Sequence, residues 1–243
     1  MMASAQQPLL NRAVRATMAD FGRYKKEPRQ TVRRADVKKG DISKALKDAW
    51  VKVEYENNHE IFYIKAINLL KDIVYSSKDV GNFSIALAEF QNDKRFSWKA
   101  GMFLSALINT CRDQDFIIYT NHLAVNLVLL GYQNTKSIIV NGDVGDDLGS
   151  NMEGGTITVN GNVESWCGIN MKSGVLIING NTVHSLGYNL QGGSIIINGY
   201  AGFWVGEYMS GGNIYINGNF ELNLNRFGGR IYHEGRLISG ESE

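Results

Sequence analysis

The 243-residue sequence has little proline (two residues) and little cysteine (two), and it lacks any long apolar run. Two prolines beside 27 glycines exclude a collagen repeat and a proline-rich linker, both of which need proline far above its ordinary ~5% share. Cys111 and Cys167 are too few for a disulfide framework and point to a reducing compartment. No stretch approaches the ~18 uninterrupted apolar residues of a membrane span. A cytoplasmic protein with no membrane partner is therefore expected. The four histidines (His59, His122, His184 and His233) and the two cysteines fall in no H-x-H, H-E-x-x-H or C-x-x-C spacing. Neither a metal site nor a cofactor is expected from them.

What charge there is lies unevenly. Residues 1–50 carry twelve basic and five acidic side chains, whereas residues 142–243 carry four basic and ten acidic ones. Residues 1–40 hold both prolines, Pro8 and Pro28, and show little apolar periodicity. They read as a basic, flexible arm, ordered only where it touches something. The arm is a solvated tail or lies against the acidic C-terminal segment of its own or a neighbouring subunit, acts as a mitochondrial targeting segment, or contacts nucleic acid; its scarce aromatics, Phe21 and Tyr24, weigh against the last.

Residues 41–115 switch to helical periodicity and form a small α-helical domain. Asp41 stands where an N-cap would precede Ser43–Ala49. Phe62, Ala66, Leu69, Leu70 and Ile73 make one face of a helix over Glu60–Val74. Ser97 is placed to cap another, with Ala100, Phe103, Leu104, Leu107 and Cys111 inward. Asp115–Thr120 reads as a strand. It opens a segment, residues 116–141, that holds a strand and either a degenerate first coil or a cap. Gly131-Tyr132-Gln133-Asn134 echoes Gly187-Tyr188-Asn189, which favours the coil.

From Gly142 the sequence repeats every nineteen residues: Gly142, Gly161, Gly180, Gly199 and Gly218 each follow an Asn (141, 160, 179, 198, 217). Short β-alternating segments and glycine-rich turns fill each repeat. The expected fold is mainly β: a right-handed parallel β-helix of 19-residue coils with an N-terminal α-helical domain. Residues 142–217 supply four coils, and 218–243 an imperfect terminal coil and cap. Five apolar columns run inward, represented by Val144–Ala201, Leu148–Val205, Met152–Met209, Ile157–Ile214 and Val159–Ile216. The Asn ladder at the turns reads as hydrogen-bonded stacking from coil to coil.

Gly142-Asp143-Val144-Gly145-Asp146-Asp147-Leu148-Gly149, followed by Met152-Glu153-Gly154-Gly155 and an I-x-V strand, resembles the GXGXG-repeat family. That family includes the C-terminal domain of the glutamate synthase large chain and one of the subunits of formylmethanofuran dehydrogenase. The resemblance covers residues 137–238 and implies the right-handed β-helix. In both named relatives the helix is a supporting element, and the catalytic cofactors lie on other domains or polypeptides. By that likeness this chain is a stand-alone member without the catalytic domains.

Candidate chemistry is sparse. Cys167 falls in an inward column and reads as a small core hydrophobe. Gly142-x-x-Gly145-x-x-x-Gly149 reads as turn chemistry, because no helix pattern and no Lys-Ser/Thr follow to hold a phosphate. Between the two inward strand positions lies an outward column, Ile139, Thr158, Ile177, Ile196 and Tyr215, with Tyr232 from the cap. An outward apolar stripe of that length marks a contact surface, covered by the helical segment or by another protomer. The expected function is a non-catalytic assembly module that oligomerises, or docks on an enzyme partner, through this strand face. The alternative is a carbohydrate- or small-ligand-active protein using the acidic residues Asp146 and Asp147 with the outward aromatics Trp166 and Trp204.

Overall fold

The computed structural model describes residues 39–54, 58–221 and 228–240. All but the last two positions of the basic arm lie outside them, as do Leu224 and Asn225 of the terminal coil. Among the described residues, four helices precede the strands: α1 (Lys39–Lys52), α2 (His59–Leu70), α3 (Ser77–Ala86) and α4 (Phe96–Thr110). None is long and apolar enough to cross a membrane.

Local chemistry sets the helix ends and departs from the sequence reading at several of them. Asp41 lies inside the first turn of α1, one turn later than a cap. The side chain of Asn58 caps α2, accepting from the N–H groups of Glu60 and Ile61 at 2.9 and 3.0 Å. α2 stops at Leu70, short of Val74. The chain there is drawn away by the Tyr75 hydroxyl, which donates to the Leu107 carbonyl at 3.0 Å. It then enters a capping box in which the Ser76 N–H donates to the Asp79 carboxylate at 2.9 Å and starts α3. Ser97 sits within α4, and its hydroxyl donates to the Asn126 carbonyl. It ties the helix to the first coil and caps nothing. Trp50 of α1 gathers Phe90, Phe103, Phe83 and Phe96 around it at centroid distances of 5.4–6.3 Å.

The strands are β1 (Asp115–Tyr119), β2 (Ser137–Asn141), β3 (Thr156–Asn160), β4 (Val175–Ile178), β5 (Thr182–His184), β6 (Ser194–Ile197), β7 (Ala201–Phe203), β8 (Asn213–Ile216), β9 (Arg230–His233) and β10 (Arg236–Ser239). The chain is a parallel β-solenoid. Its long sheet runs β1-β2-β3-β4-β6-β8-β9-β10, with six parallel steps and a final antiparallel hairpin. From β2 to β8 every step pairs residues nineteen apart: Ile138 with Ile157, then Leu176, Ile195 and Ile214. The first step spans twenty-two residues (Asp115 to Ser137) and the last seventeen (Asn213 to Arg230). Residues 116–141 thus form a coil, longer than the rest. A second, narrower face is built from β5, β7 and the bridges Val144–Val163–Thr182 and Ala201–Phe220.

The inward columns form one core that is continuous with the helical segment. Each of Leu148, Met152, Ile157, Val159, Cys167, Met171, Leu176 and Ile178 is fully buried, and their counterparts up to Ile216 are buried with them. The alternation buried–outward in SIII and NIYI fixes the register, because a one-residue slip would turn the isoleucine stack out to water. At the corners the Asn ladder is complete. Asn160, Asn179, Asn198 and Asn217 each donate Nδ2 to the Oδ1 of the Asn one coil earlier, at 2.7–2.9 Å. A second set runs beside it, in which Asp143, Asn162 and Asn181 accept from the backbone N–H groups of Asn162, Asn181 and Tyr200 at 2.6–2.9 Å.

α3 covers the start of the stack. The Tyr119 N–H donates to Ser84 Oγ at 3.1 Å, and a Cβ on Gly81 would lie 2.9 Å from the Ile117 carbonyl oxygen. The helix therefore occupies the free edge of β1, where an unpaired strand would otherwise invite another chain. At the far end the short antiparallel strand β10 pairs with β9 and ends the parallel stack.

Candidate functional site

Two surfaces carry the residues singled out above. The first is the outward side of the long sheet. Ile139, Thr158, Ile177, Ile196, Tyr215 and Tyr232 stand in register one above another and are all half-buried, each shielded by its neighbours in the column. Ile117 extends the column into β1, where it is 47% exposed. Tyr215 and Tyr232 stack nearly flat, with ring centroids 4.9 Å apart and an interplanar angle of 12°. Ser137, Thr156, Val175, Ser194 and Asn213, all polar but the valine, flank the apolar column on one side, and the Asn ladder flanks it on the other. The helices make their main contact with the sheet through α3 at β1.

The second surface is the turn edge that follows the short strands. Asp147, Trp166, Ser185 and Trp204 occupy the same position in four successive coils, with φ of 61°, 62°, 56° and 61°. Asn151, Asn170, Asn189 and Tyr208 form a similar series four residues on, with φ of 54°, 53°, 51° and 59°. The solenoid needs a left-handed residue at both places. Asp and Asn adopt that conformation at little cost, whereas a bulky ring there costs on the order of 1–3 kcal/mol. Trp166, Trp204 and Tyr208 are thus held against a backbone preference that their column neighbours respect.

The rings on this edge meet one another. Trp166 and Tyr188 are 5.1 Å apart and Tyr188 and Tyr208 5.1 Å, both edge to face. His184 stands between Trp166 (6.2 Å) and Trp204 (5.6 Å). Phe203, Trp204 and Tyr208 are 52%, 44% and 52% exposed, so the edge is the more open of the two surfaces. In the sequence His184 comes into view only as a candidate metal ligand, and Phe203 is not singled out. They share the position of Asp146 and Ser165 in their coils, and the nineteen-residue period alone would have placed them there.

Asp146 and Asp147 open the edge one coil before Trp166. Asp146 accepts the Ser165 N–H at 2.8 Å. Asp147 has its carboxyl pushed up to about 6, first by burial and then by the neighbouring Asp146 charge. A carboxyl raised in the fold binds its proton more tightly there than in the unfolded chain, so its ionisation lowers stability as pH rises from about 4 through 6. Asp147→Asn is expected to stabilise the protein at pH 7.5 by about 1 kcal/mol after allowance for solvent screening, and to change nothing at pH 3.5. Urea titrations of both proteins at the two pH values check this; an equal effect at both would remove Asp147 as the source.

Among the described residues no cluster of three or more His, Cys, Asp or Glu side chains is arranged to hold a metal ion. Cys167 is fully buried in the core, and burial pushes its thiol well up, away from reactivity. The arrangement amounts to a rigid solenoid with one flat apolar-striped face and one edge of exposed rings. Comparison of the chain with protein-family models, with curated proteins and with solved structures finds no match.

Proposed function

We propose that this chain is a non-catalytic assembly module, and that it associates with a partner protein through the outward face of its long sheet. The observation that carries the reading is the in-register column Ile117, Ile139, Thr158, Ile177, Ile196, Tyr215 and Tyr232, whose main contact with the described helices is at β1. The likeness of its turns to the GXGXG-repeat family supports the same reading, because there the β-helix is the support and the catalytic cofactors sit elsewhere. Two free, buried cysteines are in keeping with a reducing compartment such as the cytoplasm.

The size of the face limits what it can do alone. Seven strand spacings by four to five residues give about 34 by 15 Å, or roughly 500 Å². A standard interface buries ~800 Å² per partner. Self-association through this face is therefore weak and concentration-dependent, and a stable complex extends over the flanking polar columns.

Ile177→Lys with Ile196→Lys is expected to abolish association while lowering the melting temperature only slightly, since Thr158 already places a polar side chain in the column. Light scattering over a concentration series and recovery of copurifying protein measure it. A wild-type chain that is strictly monomeric, with elution and recovery unaltered by the double substitution, would refute the proposal.

A further inference from the structure

We propose that the turn edge carrying Trp166, Tyr188, Trp204 and Tyr208 binds an uncharged, linear, β-linked oligosaccharide lying along the stacking direction of the coils. The inference concerns a different surface from the strand face and does not depend on it.

Four observations point to this class of ligand. The first is placement: Trp166, Trp204 and Tyr208 sit at left-handed turn positions where the equivalent residues of other coils are Asp147, Ser185 and three asparagines. Stability favours Asn at all three, so the rings are retained for what they touch. The second is repetition: Tyr188 and Tyr208 follow one another at 5.1 Å, and Trp166 and Trp204 occupy equivalent sites two coils apart, about 9.6 Å at the usual strand spacing. Rings in a row at that interval suit a chain of pyranose units of similar repeat, not a single small molecule.

Charge is the third observation. Residues 142–221 hold seven acidic side chains and one basic one, Lys172, which is paired with Glu153 at 3.0 Å. Such a field repels nucleic acid, phosphates and acidic glycans and leaves neutral or cationic ligands, which the test below separates. The fourth is the mixture of groups. The C–H face of a pyranose packs on the negative face of an aromatic ring, and its equatorial hydroxyls reach outward to hydrogen-bonding side chains. Asn189, whose Nδ2 donates to Asn170 at 2.6 Å, and Glu207 next to Tyr208 supply such groups between the rings. Protein-binding patches, by contrast, are depleted of charge at their centre.

The test is calorimetric titration of the full chain with cellohexaose, xylohexaose, β-mannohexaose and chitohexaose, read in parallel by tryptophan fluorescence. Saturable binding of at least one hexaose is expected, tighter than that of its trimer. Trp204→Asn should weaken binding at least tenfold while keeping or raising the melting temperature, because Asn suits the backbone there. Ile177→Lys should leave binding unaltered, which separates this site from the strand face. The proposal is overturned if no hexaose binds at millimolar concentration, or if Trp204→Asn binds as well as the wild type. It is equally overturned if an arginine-rich peptide binds the edge in place of the sugars, or if Trp204→Asn alters only self-association.

Discussion

Gly101→Ala is expected to destabilise the protein by about 3–5 kcal/mol, the range of severe core defects. Gly101 lies in the middle of α4, where the helix crosses the first coil. A Cβ there would fall 1.9 Å from the Val128 carbonyl oxygen and 2.9 Å from its carbon. Neither side can yield. The helix is packed into the core through Ala100, Phe103 and Leu104, all fully buried. The coil is pinned at the same place by Ser105, whose hydroxyl donates to the Gly101 carbonyl at 2.7 Å and accepts the Gly131 N–H at 2.9 Å. Asn109 adds a bond from Nδ2 to the Tyr132 carbonyl at 3.0 Å. A methyl group at 101 therefore separates helix from solenoid. Urea unfolding followed by near-ultraviolet circular dichroism measures the loss; an unchanged midpoint would mean that the two parts do not meet as described.

The second large effect contrasts neighbours. Ile195 is fully buried between Leu176 and Ile214, whereas Ile196 faces outward between Ile177 and Tyr215. Ile195→Asp buries a carboxylate with no partner and is expected to cost more than about 4 kcal/mol, enough to prevent folding at ordinary temperature. Ile196→Asp, one residue on, should cost far less, about 1–2 kcal/mol, because its half-buried side chain can turn the carboxylate to water. Chemical denaturation of the two variants side by side gives the comparison. Equal losses would overturn the assignment of inside and outside on which both candidate surfaces rest.

The solenoid could be read in the sequence because its signals are local and repeated. An Asn-Gly every nineteen residues states the coil length, and alternation in Thr156-Ile157-Thr158-Val159 states which side faces in. Stacking then follows without further information, since each coil buries its apolar side chains only against the next. The helical segment was less legible. Its ends depend on contacts made far along the chain: Tyr75 with Leu107, Ser97 with Asn126, Ser84 with Tyr119. Propensity and periodicity carry no record of these, and the capping box at Ser76 and Asp79 is hidden among ordinary polar residues.

The surfaces divide in the same way. Columns such as Ile139–Tyr232 or Trp166–Trp204 are simple sums of the period. The exposure of each column is not, because it depends on how far neighbouring side chains shield one another. Outward isoleucines on the flat sheet lie half-covered by their own column, while at the turn edge Phe203, Trp204 and Tyr208 stay about half exposed although neighbouring rings touch them. Hence the turn edge emerges as the more open surface, although the strand face carries the longer apolar run.

Paired cysteines at the proposed rungs test the stacking itself. Thr158 and Ile177 are Cα partners on adjacent coils, about 4.8 Å apart by the usual strand spacing, within the 4.4–6.8 Å range that a disulfide spans. Under mild oxidation Thr158→Cys with Ile177→Cys should therefore close an intramolecular bridge in nearly every molecule. Thr158→Cys with Ile196→Cys, two coils and about 9.6 Å apart, should remain reduced. Peptide mapping by mass spectrometry reads both. A bridge in the first pair alone is the predicted result, and no bridge in the first pair, or equal bridging in both, would contradict the nineteen-residue stack.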